Sequence, residues 1–421
     1  MGRSGSPFVA TIVMLLPLVT AFVPPPLMRG GNSPLVSCAA PTAVEAEPAA
    51  TAPSETSFGA MIGDKVASAI VGSPIYPLLI KQAKTTMKDS AERIGVDWDG
   101  EVKRLRKATE WETAMRTLLE GEGADVEVPD YYRRPFHAYA EGNLCWDAAF
   151  EQELASKAVG VRNFPEDGAN GERRLREAYE GELDRLGALV PEGGLVVDMG
   201  CGTGSSTRYL ARKYPEAGRV LGIDLSPQMV LTGRFLLSEP GSDGAADPSA
   251  DPLAAGTADR VELAYGDMGN TGLPDGCASL VSACLVLHEL PHDARRQVLR
   301  EAARLLQPGG CFAIMEMDPR APGYIRLRKN PMLFSILRST EPYLDEYFSG
   351  AAGLDQELKD AGFDVIRKSA ATGRHMAVLG FKGGSLDLRP GEDARAAADQ
   401  HVQSHKVAPW VREAAQRRRQ K

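Results

Sequence analysis

The stretch from Leu195 to Gly204 constrains this chain more than any other part of it. Leu195, Val196 and Val197 are apolar, Asp198 is an acid, and Gly200, Gly202 and Gly204 stand at alternate positions ahead of helix-forming sequence from Ser205 to Ala211. The short apolar run reads as a buried parallel strand and the glycines as a tight strand-to-helix turn. Glycine has no Cβ, so alternate glycines let a ligand lie against the backbone and admit the dihedrals that a sharp turn needs. The turn is read as a ligand cradle in an α/β fold; without a ligand it is only a glycine-rich connection.

A dinucleotide fingerprint needs a third glycine that this pattern lacks: the sixth position is Ser205 counted from Gly200 and Thr207 counted from Gly202. The Asp-x-Gly-x-Gly-x-Gly pattern instead resembles motif I of the class I S-adenosylmethionine (SAM) methyltransferases. Charge agrees with that resemblance. SAM carries a sulfonium and an ammonium, which Asp198 attracts, whereas the same acid repels a pyrophosphate.

At 421 residues with 43% apolar content the chain has ample core for an enzyme-sized fold and accessory segments. A net charge of −8 gives no basic field for a polyanion, so nucleic acid is not expected as a partner. Cys38, Cys145, Cys201, Cys277, Cys284 and Cys311 show no CxxC pairing and read as reduced thiols, and no metal site is expected.

The N-terminus reads as an address. Arg3 precedes an apolar run from Phe8 to Ala21 that is too short, and too interrupted by Pro17, for a stable membrane span. Val19 and Ala21 occupy the small-residue positions of a signal-peptidase site, giving a signal peptide over 1–21. Residues 22–50 are rich in Pro and Ser with no acid before Glu45, which is transit-peptide composition. The pair resembles the bipartite presequences of algae with complex plastids, implying a plastid (chloroplast) location; secretion is the alternative. The chain has no Asn-x-Ser/Thr sequon with a permitted middle residue, and with the unpaired cysteines this leans toward the plastid.

Residues 51–171 read as a helical N-terminal region, with apolar patches over 68–88 and 102–119. Its denser part, from Tyr131 to Pro165, resembles the segment preceding motif I in a group of plant-plastid and cyanobacterial methyltransferases. That resemblance implies that His137, Tyr139, Asn143 and Trp146 cap the cofactor and acceptor. The plain alternative is that these aromatics are core.

The second strand ends at Asp224, about twenty residues past the cradle, the distance at which an acid accepts both ribose hydroxyls. The third ends at Asp267. By resemblance, Gly200, Cys201, Gly202, Gly204, Leu225, Met229, Met268 and Leu285 complete the cofactor site. The fourth strand, 278–287, runs into His288, which stands at the sheet edge where open α/β folds place ligands and is read as a general base or, alternatively, a turn-shaping residue. The Asn/Asp-Pro-Pro-Tyr motif of amide and nucleobase methyltransferases is absent there. Tyr324 lies in a segment, 319–360, that resembles the variable acceptor-covering insertion.

The expected architecture is a doubly wound, seven-stranded class I methyltransferase sheet over 172–382, a helical N-terminal extension and a polar tail over 383–421. The expected activity is SAM-dependent methylation of a small molecule in the plastid. Methylation of a plastid protein, and a non-catalytic SAM-fold binding or assembly protein, are the alternatives; nothing in the sequence speaks to the acceptor, the methylated atom or the oligomeric state.

Overall fold

A computed structural model describes residues 76–383 except 138, 240–257 and 351–352. The presequence readings over 1–50 and nearly all of the tail fall outside the described residues. The chain groups into two units, 1–73 and 74–421, so the N-terminal helices described here belong to the same unit as the sheet.

Three helices come first: α1 (Tyr76–Glu92), α2 (Trp98–Arg106) and α3 (Trp111–Glu120). The apolar stretch 102–119, at helical spacing, divides between α2 and α3. Asp97 caps α2 by accepting from the Gly100 amide at 3.0 Å, α2 ends at Lys107, and the Trp111 indole donates back to the Leu105 carbonyl at 2.8 Å. A capped start and a side chain that ties off the last turn outweigh continuous periodicity.

Next come α4 (Trp146–Asn163) and α5 (Gly171–Leu186), which cross in close contact. A Cβ on Gly160 would lie 2.2 Å from the Glu172 amide nitrogen, so this crossing depends on glycine.

The sheet then alternates with helices: β1 (Leu195–Met199), α6 (Ser205–Lys213), β2 (Arg219–Asp224), α7 (Pro227–Ser238), β3 (Val261–Tyr265), β4 (Ala278–Cys284), α8 (His292–Leu305) and β5 (Leu306–Met317). Four short helices follow, α9 (Pro322–Arg328), α10 (Pro331–Thr340), α11 (Leu344–Gly350) and α12 (Leu354–Asp360), and then β6 (Phe363–Ala370) and β7 (His375–Lys382). Strand order is β3-β2-β1-β4-β5-β7-β6; the first five run parallel and β7 is antiparallel to both of its neighbours. This is the expected doubly wound, seven-stranded sheet, closed by the antiparallel strands β7 and β6.

Every residue of β1 is buried. Val197 and Met199 enter one apolar core and Val196 the other, as a strand covered by helices on both faces requires. Strand order reverses between β1 and β4, which opens a crevice at their carboxyl ends.

Strand boundaries differ from the sequence reading. Strand β3 stops at Tyr265, two residues short of Asp267. Strand β5 takes in Pro308-Gly309-Gly310 at a register shift between Ala278 and Leu280 of the partner strand. Strand β4 stops at Cys284 rather than 287, because Leu285 turns to φ +57°.

Candidate active site

The cradle is built as its glycines predict. Gly200, Gly202 and Gly204 have φ of +70°, +56° and +87°. A Cβ on Gly200 would lie 2.6 Å from Val286 Cγ2, and one on Gly202 1.9 Å from Gln152 Nε2. Gln152 reaches down from α4, and its Oε1 accepts from the Thr203 amide at 2.6 Å. Glu153 beside it pairs with Arg208 and accepts from Thr203 Oγ1 at 3.1 Å. Helix α4 thus holds the cradle from above, a role for Gln152 and Glu153 that the sequence reading missed.

Asp198 is wholly buried. Its Oδ2 accepts from Ser206 Oγ at 2.6 Å and Thr207 Oγ1 at 2.7 Å, while Oδ1 accepts nothing among the described residues. Burial pushes its carboxyl up to about 6, against the two hydroxyl bonds and the nearby Arg176. A buried, unpaired carboxylate oxygen at a strand end calls for a donor from outside the chain, and an ammonium group supplies one.

Asp224 closes the other wall. Its Oδ2 accepts from the Gly202 amide at 2.8 Å, and its Oδ1 from the Ser226 amide at 2.8 Å and, at long range, from Tyr132 Oη at 3.4 Å. A carboxylate offers about four lone-pair sites, so Asp224 keeps capacity for a ribose hydroxyl while fixing the cradle. Burial raises its carboxyl, and the amide donors oppose that. Asp267 is half-buried with its Oδ1 on the Gly269 amide at 2.7 Å. Burial raises its carboxyl as well. Leu225 and Met268 are buried beside these acids.

The structure disperses some of the sequence-predicted residues. The Cys201 side chain belongs to the core, so only its backbone faces the cradle. Met229 packs against Ala148 and Ala149 of α4. Trp146 joins Trp111 and Phe150, with ring centroids at 5.1 and 5.6 Å, and its indole donates to Glu112 at 2.9 Å. Tyr139 bonds Glu151 and lies under Lys84. Tyr324 packs edge-on to Phe348 in the acceptor-side core. These packing contacts fit the core alternative for Trp146, which opens α4, and for Tyr139, which bonds Glu151 of α4, and they pack Tyr324 within the insertion itself.

Other predicted residues converge. The segment 131–145 spans the sheet edge and is tied at both ends. On the cofactor side Ser226 Oγ donates to the Asn143 carbonyl at 2.7 Å and Gln228 Nε2 to the Leu144 carbonyl at 3.1 Å. The Asn143 side chain also hydrogen-bonds Tyr132. On the insertion side the His137 amide donates to the Thr340 carbonyl at 3.0 Å and Tyr343 Oη to the Tyr131 carbonyl at 3.3 Å. His137 adopts φ +48°, one of two described non-glycine residues with positive φ; the other is Leu285. Such backbone persists only where surrounding contacts over-determine it, and both residues flank the same edge.

Between these ties lies a cluster of histidines and carboxylates. His288 Nδ1 is 2.7 Å from Glu316 Oε1, and Glu316 also accepts from the His288 amide at 2.8 Å and the Met317 amide at 2.9 Å. His288 Nε2 faces Glu341 Oε2 at 4.0 Å, and His137 Nε2 lies 3.0 Å from Glu341 Oε1 and 3.9 Å from Glu289 Oε1. Burial would lower the His288 imidazole, but Glu316, with Glu341 and Glu289 behind it, lifts it to about 10. The expectation of a base titrating near neutrality at His288 is thereby corrected: its paired carboxylate holds it as the imidazolium. Glu289 behaves differently. Burial drives its carboxyl up, His137 and His288 pull it back, and it settles at about 7.

Glu316, Glu341 and Glu289 were not singled out from the sequence. Glu316 carried a signal, as the one acid in the apolar run Cys311 to Met317 of a buried strand. Glu341 carried none, since only the folded insertion brings it to the edge.

The sequence model of a family described as "Methyltransferase domain" matches residues 196–310, which hold the three cradle glycines, the acids Asp198, Asp224 and Asp267, and His288. Over those residues the chain carries a methyltransferase domain. Among similar proteins, trans-aconitate 2-methyltransferase of Methylobacterium nodulans is 37% identical over 123 residues, covering 29% of this chain and 38% of that protein. Demethylmenaquinone methyltransferase of Listeria welshimeri is 27% identical over 212 residues, covering 46% of this chain and 80% of that protein. The chain therefore spans well under half the length of the first relative. A solved SAM-dependent methyltransferase from Methanococcus maripaludis aligns at 16% identity with a TM-score of 0.40, over 58% of this chain and 95% of that one.

The residues of the cradle fit SAM. Asp198 and the cradle would hold the amino acid end, Asp224 the ribose and Asp267 the adenine side. When bound, SAM supplies a methyl carbon activated by its sulfonium. The chain's own part is to orient the reactants, exclude water and receive a proton where the acceptor carries one.

Proposed function

We propose that this methyltransferase acts on a small molecule held between the cap segment 131–145 and the insertion 319–360. The observation that carries the reading is the double tie of the cap: Asn143 to Ser226 on the cofactor side, and His137 to Thr340 and Glu341 on the insertion side. A segment fastened on both sides of the sheet edge suits a small acceptor better than a polypeptide, which favours this reading over methylation of a plastid protein. The carboxylates without hydrogen-bonded partners at that edge speak for a reacting site and against a purely structural SAM-fold protein. The relatives named above carry small molecules in their names, which supports the same class.

The proposed location is the plastid. Its support is the sequence of residues 1–50, whose apolar run and acid-poor continuation have the composition of a signal followed by a transit peptide. The likeness of Tyr131–Pro165 to plant-plastid and cyanobacterial methyltransferases supports the same address.

Incubating the full chain with methyl-labelled SAM and, in parallel, a plastid small-molecule extract and a plastid protein extract tests the reading. Label is expected in the small-molecule fraction. Label confined to protein would overturn it.

A further inference from the structure

We propose that Glu289 is the catalytic residue that receives the acceptor's proton, and that the acceptor is an uncharged small molecule bearing neighbouring hydroxyl groups. This rests on the small-molecule reading above and adds the substrate class and the proton's destination.

The cluster at the sheet edge contains three carboxylates in different states of commitment. Glu316 is saturated by His288 and two backbone amides. Glu341 is half-committed: Oε1 faces His137, while Oε2, in a side chain 8% exposed, accepts no hydrogen bond among the described residues. Glu289 is uncommitted. Among the described residues its side chain makes no hydrogen bond, and its nearest charged partner is His137 Nε2 at 3.9 Å. Its side chain is 19% exposed, so a small molecule can reach it.

These vacancies define the ligand's chemistry. Glu341 Oε2 and the Glu289 carboxylate both need donors, and both carboxylates lie within 4 Å of the same His137 nitrogen, so the donors must be close together. Hydroxyl groups donate and keep a lone pair for the methyl carbon, whereas an amine facing these carboxylates is held protonated without one, and an ionised carboxylate does not donate. An anionic acceptor would also bring its charge against Glu289, Glu316, Glu341 and the nearby Asp224.

Position selects Glu289 over its neighbours as proton acceptor. It sits in the turn immediately after β4, and its electrostatic neighbours come from both halves of the site. Asp224 at the end of β2 and Tyr132 lie on the cofactor side; His137 of the cap, His288 of its own turn and Glu341 between α10 and α11 lie on the other. Burial and the two acids raise its carboxyl and the two histidines lower it, to about 7, where a base is half available at neutral pH. His288 is already protonated and Glu316 is fully engaged.

In the transfer, an acceptor oxygen forms its bond to the methyl carbon as the carbon–sulfur bond breaks and leaves its pair on sulfur. The hydroxyl proton passes to a Glu289 oxygen and from there to solvent. Protons and charge balance without a further reagent.

Calorimetry on the full chain at pH 7, in buffers of different ionisation enthalpy, tests the residue without needing turnover. SAM differs from S-adenosylhomocysteine by the sulfonium charge, which favours the ionised form of a nearby carboxyl. SAM is expected to release up to roughly half a proton more than S-adenosylhomocysteine, and Glu289→Gln to abolish that difference while S-adenosylhomocysteine affinity stays within a few-fold. Equal release by the two ligands in the unmodified protein, or a difference that survives Glu289→Gln, would overturn the assignment.

Turnover tests the substrate class, with catechol as the neutral probe and 3,4-dihydroxybenzoate as its anionic counterpart. Catechol is expected to have at least a tenfold higher kcat/KM and a rate rising with pH through about 7. Glu289→Gln is expected to lower kcat by about 10²–10⁴-fold and Glu289→Asp to recover part of it. A preference for the benzoate, transfer to neither probe, or Glu289→Gln within threefold of the unmodified rate would contradict the proposal. Label appearing only in protein would instead remove the small-molecule reading beneath it.

Discussion

His288 and Glu316 form a buried ion pair, Nδ1 to Oε1 at 2.7 Å, in which the carboxylate also accepts the histidine's own backbone amide. One strand-end acid thereby fixes both the ring and the turn that carries it. Glu316→Gln removes the charge that holds the imidazolium, and breaking a buried pair of this kind costs about 3–5 kcal/mol. Chemical denaturation of the two proteins at pH 7 measures the loss.

The same pair sets a pH dependence of stability. The folded-state value of His288 is raised from 6.5 to about 10, so its contribution is fully present below pH 6.5 and is lost as pH climbs toward 10. Denaturation midpoints measured from pH 6.5 to 10 should fall for the unmodified protein and fall less for Glu316→Gln. Parallel curves would show that His288 is not held charged.

Gly202→Ala is expected to loosen the cradle. Its Cβ would fall 1.9 Å from Gln152 Nε2, and φ of +56° strains any side chain by about 1–2 kcal/mol. Adding Gln152→Ala relieves the clash and leaves the strain, so the double variant should recover stability and SAM affinity only in part. Full recovery would mean that backbone strain at Gly202 is negligible.

Trp146→Ala separates core from cap. Trp146 packs on Trp111 and Phe150 and is half-buried, so truncation should cost less than the ~3–5 kcal/mol of a fully buried tryptophan yet still be plain in a melting curve. Acceptor KM should hardly move. A large rise in KM with stability intact would return Trp146 to the acceptor site.

The cradle, the three acids Asp198, Asp224 and Asp267 and the seven-stranded doubly wound sheet were legible because they rest on local chemistry. Glycine is needed where φ is positive, apolar runs mark buried strands, and an acid stands at or just past the ends of β1, β2 and β3. The acceptor side was less legible because it is assembled from distant segments. Glu341 reaches His137 only after four short helices fold over the edge, and no local pattern encodes that. The aromatic cap misled for a related reason: Trp146 and Tyr139 have the side chains of a ligand cage, but helices α1 and α3 supply partners for them. His288 was found with its role left open between base and turn-shaping residue, since an acid 28 residues downstream decides its charge.

Binding of SAM itself is the most direct test of the account. Titration calorimetry of the full chain should show SAM bound at a single site, with Asp224→Asn weakening it by about 1.5–3 kcal/mol through loss of charge-assisted hydrogen bonds to the ribose. NAD should not bind. Unchanged SAM affinity in Asp224→Asn, or NAD bound more tightly than SAM, would contradict the reading of this cradle.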